Sequence, residues 1–166
     1  MKISLQRKES IRAIATSKIR IESTNPEIDL SVFALNDSRN LCTNGFIFYN
    51  NPNFRELAFR ITQLENSIEI YLGTNVFSVY NLEVVVSTQN KSLNSQIKIL
   101  EPEIDREIFN RKIVADCSAM IIAEIFRYQS DLWRIKSIEK KIQWRARGSL
   151  SRVWSRDPRL IRANSV

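Results

Sequence analysis

Arginines and tryptophans are concentrated at the carboxyl-terminal end of the chain, where their side chains are suited to binding an anionic partner. Cations attract phosphate or carboxylate groups, and large aromatic rings supply stacking or burial. The candidate partner-binding residues are Trp144, Arg145, Arg147, Arg152, Trp154, Arg156, Arg159 and Arg162. In the alternative interpretation, Trp133 and Trp144 are core anchors and the arginines only keep the surface soluble.

Net charge separates this end from the rest of the chain. Residues 1–132 hold 15 Lys or Arg and 16 Asp or Glu, whereas residues 133–166 hold 10 basic and 2 acidic residues. The formal charge of +7 therefore combines a nearly neutral body with a strongly basic end. Such an end attracts an acidic protein surface or a nucleic acid.

The composition excludes several kinds of active site. The chain has no histidine, which excludes His-dependent catalytic triads and HExxH-type zinc sites. Its two cysteines, Cys42 and Cys117, form no CxxC pair, so we interpret them as reduced thiols of an intracellular protein. The sequence has no nucleophile–base arrangement and no glycine-rich phosphate loop. We therefore predict a protein that is not an enzyme.

Length and hydropathy predict one soluble domain. A chain of 166 residues fits a single domain that buries roughly two-thirds of its unfolded surface. The opening residues, MKISLQRKES, lack the apolar core of a signal peptide, and the chain has no run of about 18 apolar residues. We expect a cytoplasmic protein without a transmembrane segment.

Apolar and polar residues alternate with period two along much of the chain, which predicts a mainly β structure. The clearest case runs from Ile28 to Leu35; a polar loop, Asn36 to Asn40, then leads past Asn44-Gly45 to a second strand at residues 46–49. Residues 11–15 and 19–22 are predicted edge strands, and 79–88 a central strand. Further strands are predicted at 67–72, 96–100, 120–128 and 132–138. Residues 104–109 fit either a helical turn or an extended segment.

Two stretches resemble the TerD family of tellurite-resistance and general stress proteins. Residues 29–36 (DLSVFALN) together with 46–51 (FIFYNN) resemble the core signature of that family. Residues 118–127 (SAMIIAEIFR) with Trp133 resemble its penultimate strand, its arginine and the tryptophan that follows. The resemblance implies an antiparallel β-sandwich of the TerD type that usually binds calcium at acidic loops, and it implies no catalysis.

The residues that the resemblance places at a calcium rim are poor in carboxylates. Calcium takes six to eight oxygen ligands, so a tight site usually gathers several carboxylates on loops. The paired aspartates of the family correspond here to Asp29 and Ser31. The resemblance therefore leaves a metal set of Asp29, Asn50, Asn51, Glu65 and Asn66. We expect calcium binding to be weakened or lost and no other cofactor to be bound; the alternative for Asp29 is a strand-end carboxylate bonded to loop amides.

The terminal part predicts a short helix followed by an arm. Leu150, Val153 and Trp154 share one face at helical spacing, and Asp157-Pro158 ends that pattern. We place a TerD-like sandwich domain at residues 1–155 and a basic arm at residues 156–166.

Three functions from different classes fit these features. The first is an interaction or structural subunit that docks into a larger multi-protein assembly, such as a membrane-linked stress complex or a virion-like particle, through its basic end. The second is a calcium-binding stress protein, and the third is a nucleic-acid-binding module. Protein partners are the first expectation; an acidic surface or a nucleic acid is the alternative partner.

Overall fold

The computed structural model describes residues 11–47, 60–62, 67–72, 79–90, 92–129 and 132–142. Within these residues the chain forms eleven β-strands, and a short 3-10 turn, Pro102–Ile104, lies between the eighth and ninth. The strands are β1 (Arg12–Ile14), β2 (Lys18–Ser23), β3 (Asp29–Leu35), β4 (Leu41–Ile47), β5 (Arg60–Thr62), β6 (Ser67–Tyr71), β7 (Asn81–Ser87), β8 (Leu93–Glu101), β9 (Arg106–Ala115), β10 (Ala119–Gln129) and β11 (Leu132–Lys141).

The strands form two antiparallel sheets. The large sheet has the order β1-β11-β10-β7-β3-β4, and the small sheet has the order β5-β6-β2-β8-β9. Buried aliphatic residues from both sheets, including Ile19 and Ile21 of β2 and Val32 of β3, form one apolar cluster between them. The prediction of an antiparallel β-sandwich is therefore confirmed. The predicted helix at 150–154, the arm and the domain boundary at 155 lie outside the described residues.

The outer face of the large sheet is buried as well. A second apolar cluster on this face contains Phe33, Val85 and Ile121, which are all almost inaccessible to solvent. Successive strand residues point to opposite faces, and both faces of β3 and β7 are buried. These two strands therefore lack the solvated face that antiparallel sheets often keep.

The position of β7 is confirmed, but that of β2 was predicted wrongly. β7 pairs with β10 and β3 in the middle of the large sheet. β2 was predicted to be an edge strand, yet it pairs with both β6 and β8. Its alternation arises because Ile19 and Ile21 face the core while Arg20 and Glu22 lie on the opposite, partly exposed face. An interior antiparallel strand with one solvated face gives the same pattern as an edge strand.

Strand β4 begins five residues earlier than predicted, and Gly45 explains the difference. Asn44-Gly45 resembles a turn in the sequence, but Gly45 lies inside β4 where the pairing with β3 shifts register. A Cβ on Gly45 would lie 2.7 Å from the carbonyl oxygen of Ala34 and 2.8 Å from that of Cys42. The glycine therefore allows two backbone segments to approach closely, which is a common reason for glycine within a strand.

The segment 104–109, which the sequence left undecided, contains both alternatives: Ile104 ends the 3-10 turn, and residues 106–109 belong to β9. Residues 106–115 are extended, and the pairing with β8 shifts register between Ile99 and Leu100. At this irregularity Ile108 and Phe109, which are consecutive, are both buried. The alternation is broken there because a bulge adds one residue to one of the paired strands.

Candidate interaction surface

Most of the predicted site residues lie outside the part of the chain that the structure describes. This applies to Asn50, Asn51, Glu65 and Asn66 of the metal set. It applies equally to every candidate partner-binding residue, Trp144, Arg145, Arg147, Arg152, Trp154, Arg156, Arg159 and Arg162. Asp29 is described, as is Trp133, which is buried in the core between the sheets and fits the core-anchor interpretation.

Asp29 begins β3 and lies beside Ser87 of β7 in the large sheet. Its side chain is exposed, yet partial burial raises the pKa of its carboxyl above the ordinary value. Ser31, two residues further on the same face, has a buried hydroxyl with no hydrogen-bond partner among the described residues. A cation would favour the ionised carboxylate, whereas the surroundings of Asp29 oppose ionisation.

The described residues at this position do not fit a calcium ion. They supply the single carboxylate of Asp29 and the neutral hydroxyls of Ser31 and Ser87, whereas calcium takes six to eight oxygens, several of them usually charged. Across residues 11–47, 60–62, 67–72, 79–90, 92–129 and 132–142, no group of three or more Asp, Glu, His or Cys residues could hold a metal ion.

Two buried carboxylates lie side by side on the outer face of the large sheet. Glu83 of β7 is directly opposite Glu124 of β10, and both are almost fully buried. Arg39 places its Nη2 atom 2.6 Å from Glu124 Oε2 and 3.6 Å from Glu83 Oε2. Lys136 Nζ of β11 lies 3.3 Å from Glu124 Oε1. Two cations therefore offset two acids, which is what burial of charged groups requires.

The turn between β3 and β4 positions Arg39 for this contact. Asn36 accepts hydrogen bonds at its side-chain oxygen from the backbone N–H groups of Ser38 and Asn40, at 2.9 and 3.0 Å. Arg39 itself has a φ of 64°, in the left-handed region. Asparagine favours such turns because its side chain bonds to the following backbone. The polar cluster that the sequence predicts as a loop therefore also supplies the cation that pairs with two buried carboxylates.

Basic and aromatic side chains alternate with buried ones along β10 and β11. On β11, Arg134 and Lys136 lie on the face opposite the buried Trp133 and Ile135. The guanidinium of Arg134 lies 3.6 Å from the ring centre of Tyr128. Lys136 Nζ lies 5.4 Å from the ring centre of Phe126. The outer side of this hairpin therefore carries two cation–π pairs.

Arg127 faces the other side of the same hairpin and has a structural role. Its guanidinium lies 5.0 Å from the ring centre of Trp133 and 5.1 Å from that of Tyr80, and its Nη2 donates to the Val79 carbonyl at 2.9 Å. Arg127 and Trp133 are the arginine and the tryptophan on which part of the sequence resemblance rests. In this structure they contact each other at the end of the β10–β11 hairpin.

The outward residues of β11 were missed as site candidates, although the sequence contains a signal for them. The sequence pattern assigned Leu132, Arg134 and Lys136 to a strand, and the last two to the basic end of the chain. It did not predict that they form a common surface. Their even spacing, interrupted by Trp133 and Ile135, was enough to place them on one face. Their neighbours on β1 and β10 could not be identified without the strand order.

Comparisons with known proteins support the fold. No protein-family model matches the sequence, and no curated protein sequence matches it. Among solved structures, the crystal structure of a homologue of the telluride resistance protein TerD from Streptomyces coelicolor A3(2) is similar, with a TM-score of 0.60 and 12% sequence identity. The match covers 89% of this chain and 96% of that one. Within the described residues, no helix is long and apolar enough to cross a membrane. At this level of identity the comparison shows that the chain has a TerD-like fold.

Proposed function

We propose that this chain is a non-enzymatic interaction or structural subunit that docks into a larger protein assembly through its basic carboxyl-terminal end. The observation that carries the proposal is the continuity of positive charge from the sandwich into that end. β11 presents Arg134, Lys136, Lys140 and Lys141, with Glu139 as its one acidic residue. Residues 143–166 then add six arginines and one aspartate. An acidic partner surface would be complementary to this charge.

The buried charged groups of the sandwich support the same conclusion. Glu101 binds the turn between β1 and β2, Glu83 and Glu124 are held by Arg39, and Arg111 bonds to β10 and β11. Each of these charges has a partner that stabilises the fold. Chemistry at an active site needs a titratable or nucleophilic group that is available to a substrate.

The test is recovery of partners from the native source of the protein. We expect an amino-terminally tagged chain to co-purify with a reproducible set of partner proteins. Changing the six arginines Arg145, Arg147, Arg152, Arg156, Arg159 and Arg162 to glutamine is expected to lower that recovery by about tenfold or more, because rim and patch charges control encounter and affinity.

A matched pair of variants controls for loss of charge alone. Lys98→Gln with Lys112→Gln removes two positive charges from the small sheet, and Arg156→Gln with Arg159→Gln removes two from the terminal segment. We expect only the second pair to lower recovery. Equal recovery by the six-glutamine variant and the wild type would contradict the proposal. Loss of all partners after nuclease treatment would instead support the nucleic-acid alternative, whose binding weakens steeply with salt.

A further inference from the structure

The outward side of β11 forms a surface whose residues all belong to the described part of the chain. We define the β11 surface as Tyr128, Leu132, Arg134 and Lys136. Alternation along β11 places the last three on the face opposite Trp133 and Ile135, and the contact of Tyr128 with Arg134 places Tyr128 on that face as well. The surface lies beside β1, because Ala13 pairs with Arg134.

Apolar and aromatic side chains are exposed to solvent on this surface and next to it. Leu132 is 54% exposed and Tyr128 is 47% exposed. Ile11, which directly precedes β1, is also 47% exposed. Single exposed apolar residues are common, but Leu132 and Tyr128 both lie on the face of Arg134, and Ile11 precedes the strand that pairs with β11. Such grouping is a feature of interaction sites.

Arg134 differs in its contacts from Arg39 and Arg111. Arg39 and Arg111 are engaged by carboxylates at 2.6 and 2.7 Å. Arg134 stacks on Tyr128 and forms no ion pair with any residue that the structure describes. A stacked guanidinium keeps its planar fork of N–H donors in a restricted orientation, so it loses less entropy when it binds a carboxylate.

We propose that the β11 surface binds an acidic, amphipathic segment of a partner protein. Carboxylates of the segment pair with Arg134 and Lys136, and its apolar side chains cover Leu132, Tyr128 and Ile11. Charge complementarity supports this occupant, since Lys136 and Arg39 both pair with Glu124, which is the one carboxylate beside Lys136 among the described residues. An anionic bilayer is the poorer match, because the acidic Asp131 directly precedes Leu132 in the sequence.

This inference deepens the proposed function by naming the chemistry of a partner at a different surface. The probe is a display library of random 16-residue peptides, selected against the full-length chain. We expect enriched peptides to combine several Asp or Glu with leucine-like or aromatic residues. A synthetic copy of the best peptide is then titrated against the wild type and single variants, at two salt concentrations.

We expect Arg134→Ala and Leu132→Ser each to weaken binding of that peptide by about tenfold, as for central contacts of small interfaces. Arg134→Lys keeps the positive charge but loses the planar guanidinium that stacks on Tyr128. The affinity of this variant for the peptide should therefore fall between that of the wild type and that of Arg134→Ala. The matched control is Val114→Ser, which removes an apolar side chain that is 70% exposed on the edge strand of the small sheet. This control should leave binding unchanged.

Several outcomes would overturn the inference. Enrichment of peptides without acidic residues, or no enrichment at all, would do so. Equal affinity of the wild type, Arg134→Ala and Leu132→Ser would do so as well. A third contrary outcome is binding to vesicles of 30% phosphatidylserine that is lost in both variants while no peptide binds. If the six-glutamine variant still binds the peptide, binding does not depend on the terminal arginines. The two proposals can therefore be contradicted independently.

Discussion

Glu101→Ala is expected to lower the free energy of unfolding by about 3–5 kcal/mol, which is a large part of the stability of a single domain. Glu101 ends β8 and is fully buried. Its Oε2 accepts hydrogen bonds from the N–H groups of Ala15 and Thr16 at 2.8 and 2.6 Å, and from the Thr16 hydroxyl at 2.8 Å. Its Oε1 lies 3.3 Å from Arg106 Nη1, an ion pair without hydrogen-bond geometry.

The expected loss of stability is large because alanine would leave backbone N–H groups of the β1–β2 turn without an acceptor. The turn at Ala15 and Thr16 carries the chain from β1 in the large sheet to β2 in the small sheet. Without the carboxylate, two backbone N–H groups lose their acceptor, and each partly buried orphan costs about 1–3 kcal/mol. The turn that joins the two sheets therefore depends on one side chain of β8 for these hydrogen bonds.

Chemical denaturation followed by circular dichroism measures this effect. Glu101→Gln keeps an acceptor oxygen without the charge and should lose less stability than Glu101→Ala. Thr16→Val removes the hydroxyl, which lies 2.8 Å from Glu101 Oε2 and 3.1 Å from the Lys18 carbonyl oxygen, and leaves both backbone N–H bonds in place. It should cost about 1 kcal/mol. If Glu101→Ala costs no more than Thr16→Val, the carboxylate does not hold the turn, and this account of the crossing is wrong.

Trp133→Ala is expected to destabilise the sandwich by about 3–5 kcal/mol, the range for truncation of a large buried aromatic residue. Trp133 is 4% exposed and lies in the cluster between the sheets. The substitution opens a cavity there, and it also removes one of the two rings beside the partly buried Arg127 guanidinium, leaving that of Tyr80. Loss of this ring contact adds to the cost of the cavity, because a partly buried cation needs compensating contacts.

A double-mutant cycle with Arg127 separates these two contributions. Trp133→Phe keeps a ring in the core and should cost less than Trp133→Ala. Arg127→Met keeps much of the side-chain volume without the charge. Because Arg127 and Trp133 are in contact, the double variant Trp133→Ala with Arg127→Met should lose less free energy of unfolding than the sum of the two single variants. Strict additivity would mean that the stacking contributes nothing and that only the cavity matters.

The sequence predicts much of this sandwich because most of its strands have one buried face. Alternation locates β2, β6 and the β10–β11 hairpin, and the β-branched run of β7 marks a central strand. Alternation cannot show that Phe33 on the outer side of β3 is as buried as Val32 on the inner side. Both residues are apolar, and alternation assigns residues to faces without saying which faces are covered.

The contacts that organise the candidate site depend on register between distant strands. Glu101 and Thr16 are 85 positions apart, as are Arg39 and Glu124. In the sequence, each acidic residue looks like an ordinary polar residue of a strand. Its partner can be identified only when the strand order is known. The basic carboxyl-terminal end could be identified from composition, since it is local in sequence. The β11 surface could not, because it combines residues of β10 and β11 and borders β1.

The central claim is that the sandwich functions through surface contacts and does not depend on a bound ion. A thermal melt of the full-length chain in millimolar calcium against chelator tests this claim most directly, because a ligand that binds only the native state raises its stability by RT ln(1 + [L]/Kd). We predict the same melting temperature in both conditions, for the wild type and for Asp29→Asn. A rise of several degrees in calcium that Asp29→Asn abolishes would contradict the account and would assign the chain an ion-binding function.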